Sequence, residues 1–191
     1  PVHPFTPVRN AFVAKLVGNC GPVARAVDNT LYLYVDDIPR EIVRSTDFGV
    51  SWQVKQRPSE NVVAIACSHN SPFEVYYATA TKVYMSTTAG MNFTLVATAP
   101  AGQAITCMDV ASSANNKYIF IGTSTGTGGG NVYYRVLGQS NPEWNLFGFN
   151  TDPNAGNFNN ANKNGTRSPD VVSIAVSPSF LSDGTIVAIG D

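Results

Sequence analysis

A short apolar run recurs along the chain, and each copy opens the same local pattern. Val62-Val63-Ala64-Ile65-Ala66-Cys67, Ile105-Thr106-Cys107-Met108-Asp109-Val110 and Val171-Val172-Ser173-Ile174-Ala175-Val176 align without gaps. A polar turn and a second run follow each: Phe73-Glu74-Val75-Tyr76-Tyr77, Lys117-Tyr118-Ile119-Phe120-Ile121 and Thr185-Ile186-Val187-Ala188-Ile189. An earlier copy, Val23-Ala24-Arg25-Ala26-Val27, leads into Leu31-Tyr32-Leu33-Tyr34-Val35. Third runs are Glu41-Ile42-Val43-Arg44, Lys82-Val83-Tyr84-Met85 and Asn131-Val132-Tyr133-Tyr134, and fourth runs open on Trp52, Phe93 and Trp144. Four short strands in about 40–50 residues is the size of one propeller blade.

The first strand of each copy has two unlike faces, because side chains alternate along a strand. Ile65, Cys67, Met108, Val110, Ile174 and Val176 make a bulky face. Ala64, Ala66, Cys107, Asp109, Ser173 and Ala175 make a small one. Blades stack face to face around an axis, so a bulky face against a small one fills the crowded centre. No helical periodicity competes. The pattern predicts an all-β chain, a partial β-propeller of four-stranded antiparallel blades with about three and a half blades. The expected divisions are an N-terminal segment at 1–19, blade 1 at 20–57, blade 2 at 58–99 and blade 3 at 100–149. An Asn/Gly-rich loop at 150–170 precedes the first half of blade 4 at 171–191. Ala11 to Leu16 reads as a strand of a neighbouring blade. Half a blade leaves open sheet edges, which predicts a fragment of a larger chain or a ring completed by other subunits.

Between the third and fourth strands of blade 1 lies Ser45-Thr46-Asp47-Phe48-Gly49-Val50-Ser51-Trp52. It resembles the Asp box, S-x-D-x-G-x-[ST]-W, of sialidases, sortilin-type receptors and other propellers, and matches every defined position. Ser86-Thr87-Thr88-Ala89-Gly90-Met91-Asn92-Phe93 keeps Ser86, Gly90 and the aromatic but has Thr88 in place of the Asp. Residues 137–144 keep little beyond Trp144. Asp47 is suited to accept backbone N–H groups across the turn, as in Asx-turns. Gly49 is suited to a left-handed backbone angle, and Trp52 to pinning the hairpin. The resemblance implies a structural role for Ser45, Asp47, Gly49, Trp52, Ser86, Gly90 and Phe93, and leaves activity open. Ser177-Pro178-Ser179-Phe180-Leu181-Ser182-Asp183-Gly184-Thr185-Ile186 is similar to a turn that recurs in bacterial repeat proteins of this kind.

Charged residues are 13% of the chain and the net charge is −1. With no basic patch, nucleic acid and anionic membranes are excluded as expected partners, and no apolar run reaches the length of a membrane span. The polar, weakly charged surface predicts an extracellular or cell-envelope location. Asn92 and Asn164 stand in glycosylation sequons. The opening residue Pro1 predicts a processed end or a fragment edge. Three cysteines allow one disulfide and one thiol, or three buried thiols.

Catalytic constellations are sparse. A sialidase needs three arginines gripping a carboxylate, and Asp37-Ile38-Pro39-Arg40 has Asp where that family's early motif has Arg. Arg9, Arg25, Arg40, Arg44, Arg57, Arg135 and Arg167 do not recur at equivalent strand positions. A glycoside hydrolase needs two carboxylates facing one cleft, and Asp36 and Asp37 point to opposite sides of an extended chain. Asp109 reads as an anchor for a neighbouring N–H. His3 and His69 make no metal set or triad with Cys67, and Gly126 to Gly130 lacks the lysine of a phosphate loop. No cofactor is expected. Asp152, Asn154 and Asn157 are the nearest approach to a Ca²⁺ site and match no defined calcium loop. The sequence therefore predicts a non-catalytic structural or protein-binding module at the cell surface, within a surface layer, sheath or larger complex. Its expected partners are other subunits or the remainder of a larger chain, with glycans as a further class. The alternative is a carbohydrate-active enzyme or lectin whose site lies on other blades.

Overall fold

A computed structural model describes residues 19–113, 115–126, 129–140, 143–147 and 170–190. Within them the chain is nearly all β, a partial β-propeller of four-stranded antiparallel blades. The first sheet holds β1 (Asn19–Arg25), β2 (Leu31–Asp36), β3 (Glu41–Ser45) and β4 (Gln53–Gln56) in sequence order. The second holds β5 (Val62–Cys67), β6 (Val75–Thr79), β7 (Lys82–Ser86) and β8 (Thr94–Thr98). The third holds β9 (Ala104–Ser112), β10 (Lys117–Ser124), β11 (Val132–Leu137) and β12 (Asn145–Leu146). β13 (Val171–Val176) and β14 (Ile186–Gly190) form a two-stranded sheet. The inner strands lie side by side: β1 against β5, β5 against β9, β9 against β13.

The apolar clusters sit between blades, not within them. Ala24 and Ala26 of blade 1 meet Ile65 and Cys67 of blade 2. Ala64 and Ala66 of blade 2 meet Met108 and Val110 of blade 3. Cys107 and Ala111 of blade 3 meet Ile174 and Val176 of the two-stranded sheet. Each interface thus sets a small face on a bulky one, and each fully buried aliphatic side chain there contributes about 1.5–3 kcal/mol. The faces at the two ends of the described stack are open, with Val23 63% exposed on one and Val187 58% exposed on the other. At Gly122 the backbone comes so close to the next sheet that a Cβ would strike Val171 and Cys107.

Three local details differ from the sequence reading. One helical turn, α1 (Phe180–Asp183), interrupts the β13–β14 connection. Asp183 fastens it, accepting the Ser177 hydroxyl at 2.6 Å and the Thr185 N–H at 2.9 Å, and Gly184 ends it at φ 61°. The fourth strands begin just after Trp52, Phe93 and Trp144, because the aromatics belong to the preceding turns. Cys20, Cys67 and Cys107 form no disulfide, and Cys20 is exposed, Cys67 buried and Cys107 half-buried, so neither cysteine expectation holds in full. Ala11 to Leu16, nearly all of 150–170, and Asp152, Asn154, Asn157, Asn164, His3, Arg9 and Arg167 lie outside the described residues.

Candidate functional site

In an antiparallel meander the β1–β2 and β3–β4 turns share one end, and the other connections share the opposite end. The hairpin turns that resemble the Asp box occupy the first end. In blade 1, Ser45 is buried and its Oγ accepts the Gly49 N–H at 2.7 Å while its hydroxyl donates to Asp47 Oδ1 at 2.8 Å. Asp47 also accepts the Ser51 N–H at 2.9 Å and the Ser51 hydroxyl at 2.6 Å. The half-buried Trp52 donates its indole N–H to the Gly49 carbonyl at 3.1 Å. Those donors hold the Asp47 carboxyl down at about 2, with the Ser51 hydroxyl the largest cause. In blade 2, Ser86 Oγ accepts the Gly90 N–H at 3.0 Å, Thr88 Oγ1 accepts the Asn92 N–H at 3.2 Å, and Phe93 meets the Tyr77 ring edge-on. Asn92 is exposed. In blade 3 the half-buried indole of Trp144 packs against the cluster between blades 2 and 3 and donates to the Thr98 carbonyl of blade 2 at 2.6 Å.

Polar side chains on the inner strands bind the neighbouring blade. Asp109 accepts its own strand's Val110 N–H at 2.8 Å and the Val176 N–H at 2.7 Å. Burial raises its pKa, opposed by those N–H groups. Ser68 and Ser112 join hydroxyls at 2.5 Å, the Asn70 amide donates to the Ser112 carbonyl, and the Thr106 hydroxyl donates to the Val171 carbonyl. Glu74 is buried and takes both the Tyr76 hydroxyl at 2.5 Å and the Lys117 ammonium of the next blade. Sequence reasoning passed over this trio. The alternation of Glu74 and Tyr76 put them on one face, but nothing local announced Lys117.

The opposite end holds Asp36, Asp37, Glu41, Glu60 and Asp170, and each has a local partner. Asp36 accepts the Tyr34 hydroxyl at 2.9 Å and the Arg40 guanidinium at 3.3 Å. Asp37 accepts the Ile38 N–H, so the two adjacent acids do separate jobs. Glu41 pairs with Arg57 at 3.0 Å and Glu60 with Lys82 at 2.5 Å. Asp170 accepts the Ser124 hydroxyl at 2.6 Å. Arg25 reaches Asn29, and Arg135 lies over the Trp144 ring, so the described arginines form no converging trio. Among the described residues no three of His, Cys, Asp and Glu gather as a metal set. His69 is exposed in a turn, and burial pushes the Cys67 thiol up to about 12, which keeps it protonated and unreactive. A cleft of about 530 Å³ opens between blade 3 and α1, lined by Tyr118, Phe120, Tyr134, Phe147, Phe180 and Leu181 among others.

No protein-family model matches the sequence, and no curated protein does. Solved structures do match. A chain of a nidogen/laminin complex superposes with a TM-score of 0.56 at 11% identity, over 90% of this chain and 56% of that one. An ancestral GH74 enzyme superposes with a TM-score of 0.55 at 17% identity, over 85% of this chain and 22% of that one. This chain therefore spans little more than half the length of the first and under a quarter of the second. At such identities the likeness shows the propeller fold alone. No helix among the described residues is long and apolar enough to cross a membrane.

Proposed function

We propose that the chain is a non-catalytic propeller module of the Asp-box kind, extracellular or in the cell envelope, that binds protein partners as part of a larger protein or assembly. One observation carries this reading: the polar groups that a hydrolase would expose in a cleft are committed to scaffold bonds. Asp109 and Glu74 bridge blades, and Asp36, Glu41 and Glu60 each hold a cation of their own blade. A general acid and base need two carboxylates free to face a substrate. The low charge content, the exposed sequon Asn92 and the hairpin bonds around Asp47 support the location and the Asp-box assignment. Incubation with sialosides and β-glucans is expected to give no turnover above buffer. Turnover that disappears in Asp36→Asn or Glu60→Gln would replace this reading with the carbohydrate-active one, whose structural support is the GH74 likeness in fold.

A further inference from the structure

The blade 2 hairpin lacks the acid of its blade 1 counterpart, and that difference releases a side chain. In blade 1 the Asp47 carboxylate takes the Ser51 hydroxyl at 2.6 Å and ties it into the turn. Asn92 stands at the equivalent position of blade 2, where Thr88 replaces the acid. Thr88 Oγ1 accepts the Asn92 backbone N–H at 3.2 Å, and the Asn92 side-chain amide makes no hydrogen bond among the described residues. The turn keeps its shape without that amide, through the Gly90 N–H donating to Ser86 Oγ at 3.0 Å and the left-handed pair Ala89 and Gly90. One residue on, Phe93 is the anchor. Its ring meets Tyr77 edge-on at 5.0 Å, in the cluster between blades 1 and 2. Asn92 and Thr94, on either side of this inward ring, are both exposed. Thr94 opens β8, and its hydroxyl donates to the Met85 carbonyl at 3.3 Å, a long bond at the surface.

We propose that Asn92 carries an N-linked glycan. An asparagine amide with a threonine two residues on is the acceptor pattern, and here the fold presents both residues to solvent while an inward ring holds the residue between them. In the transfer, Asn92 Nδ2 forms a bond to C1 of a lipid-diphosphate-linked oligosaccharide. The bond from C1 to the diphosphate oxygen breaks and the lipid diphosphate leaves with the electron pair. Nδ2 gives one proton to a base of the transferring enzyme, and nothing is oxidised or reduced. The product keeps the hydrogen bonds of the hairpin, because the modified amide takes part in none of them. The sugar is bulky and solubilising. It stands on the turn that also carries Met91, 70% exposed, and beside Phe73, 59% exposed. A bond from the Ala89 N–H to the Phe73 carbonyl at 2.8 Å joins those two turns. The glycan thus screens an apolar tip of the molecule. The proposal rests on the extracellular or envelope location of the preceding section, since such sequons are used in secreted proteins.

The test uses the protein from its source, fractionated into cell interior, envelope and medium and mapped by peptide mass spectrometry. An amidase that releases N-linked glycans, used in heavy-oxygen water, converts a glycosylated asparagine to a labelled aspartate. The label is expected at position 92 in the majority of molecules, with sugar on the same peptide before treatment. In cells that produce the chain, Asn92→Gln and Thr94→Ala are each expected to lose that glycan and its gel shift, and Thr94→Ser to keep both. Neither side chain is buried, so the two variants should keep the wild-type unfolding midpoint and the loss is read on folded protein. Unlabelled Asn92 in protein recovered from the medium or envelope overturns the proposal and leaves the location standing. Unlabelled protein confined to the cell interior overturns both. A glycan on Asn164 with none on Asn92, or one on Asn92 that persists in Thr94→Ala, also overturns the assignment.

Discussion

The hairpins that close blades 1 and 2 have nearly the same backbone and unlike chemistry. Both bury a serine whose Oγ accepts a glycine N–H four residues on, at 2.7 Å from Gly49 and 3.0 Å from Gly90. Both hold two successive left-handed residues, Phe48 with Gly49 and Ala89 with Gly90. They part at the third position. The Asp47 carboxylate gathers three donors, the hydroxyls of Ser45 and Ser51 and the Ser51 N–H, whereas Thr88 offers one neutral oxygen to Asn92 at 3.2 Å. The turn is therefore specified by the serine and the glycine, and the acid adds charge-assisted bonds to a shape that exists without it.

The comparison breaks most readily at the shared serine. Ser45→Ala and Ser86→Ala each strand a buried glycine N–H and should cost about 1–3 kcal/mol in chemical denaturation. A difference between them larger than that range would mean that the carboxylate, not the serine, carries the first turn. Next come the glycines. Gly49→Ala and Gly90→Ala, at φ 87° and 80°, should each lose about 1–2 kcal/mol from the left-handed backbone. The loss should be the greater at Gly90, where a Cβ would also press on Tyr32 at 3.3 Å.

The smallest effect separates the hairpins by pH. Folding lowers the Asp47 pKa from 3.8 to about 2, so its stabilising share is full above the unfolded value. That share fades as pH falls from near 4 and is gone once Asp47 is protonated below about 2. The protection of the Ser51 amide, its exchange relative to the unfolded chain at the same pH, should fall through that window and the protection at Asn92 should not. Carrying the acid across, with Thr88→Asp, should give Asn92 the same dependence. Protection that stays flat at both sites would show that the exposed carboxylate is fully screened.

Much of this was legible because strands write themselves with period two and blades repeat. The bulky and small faces of β5, β9 and β13 follow from alternation alone, and Asp109 was readable as an anchor for a neighbouring N–H. What stayed hidden spans two blades. The Glu74–Lys117 pair and the Ser68–Ser112 bond join residues more than 40 positions apart, and no local rule connects them. Phe48 and Ala89 were also missed, since neither residue type favours a left-handed angle. They are carried there by the glycine that follows and the serine that binds it. Trp144 marked a third hairpin correctly, but its donation to Thr98 is a bond to a different blade.

The unlike faces of each inner strand give the stack a polarity. A blade accepts a neighbour on its small side and is accepted on its bulky side, so blades can be added in one rotational sense only. A duplicated blade inserted anywhere in the series would find both of its neighbours already matched, with no new interface to evolve. A blade inserted the wrong way round would set bulk against bulk on one side and leave a void on the other. Circumference is thus free to change by tandem duplication, while the order around the axis is not.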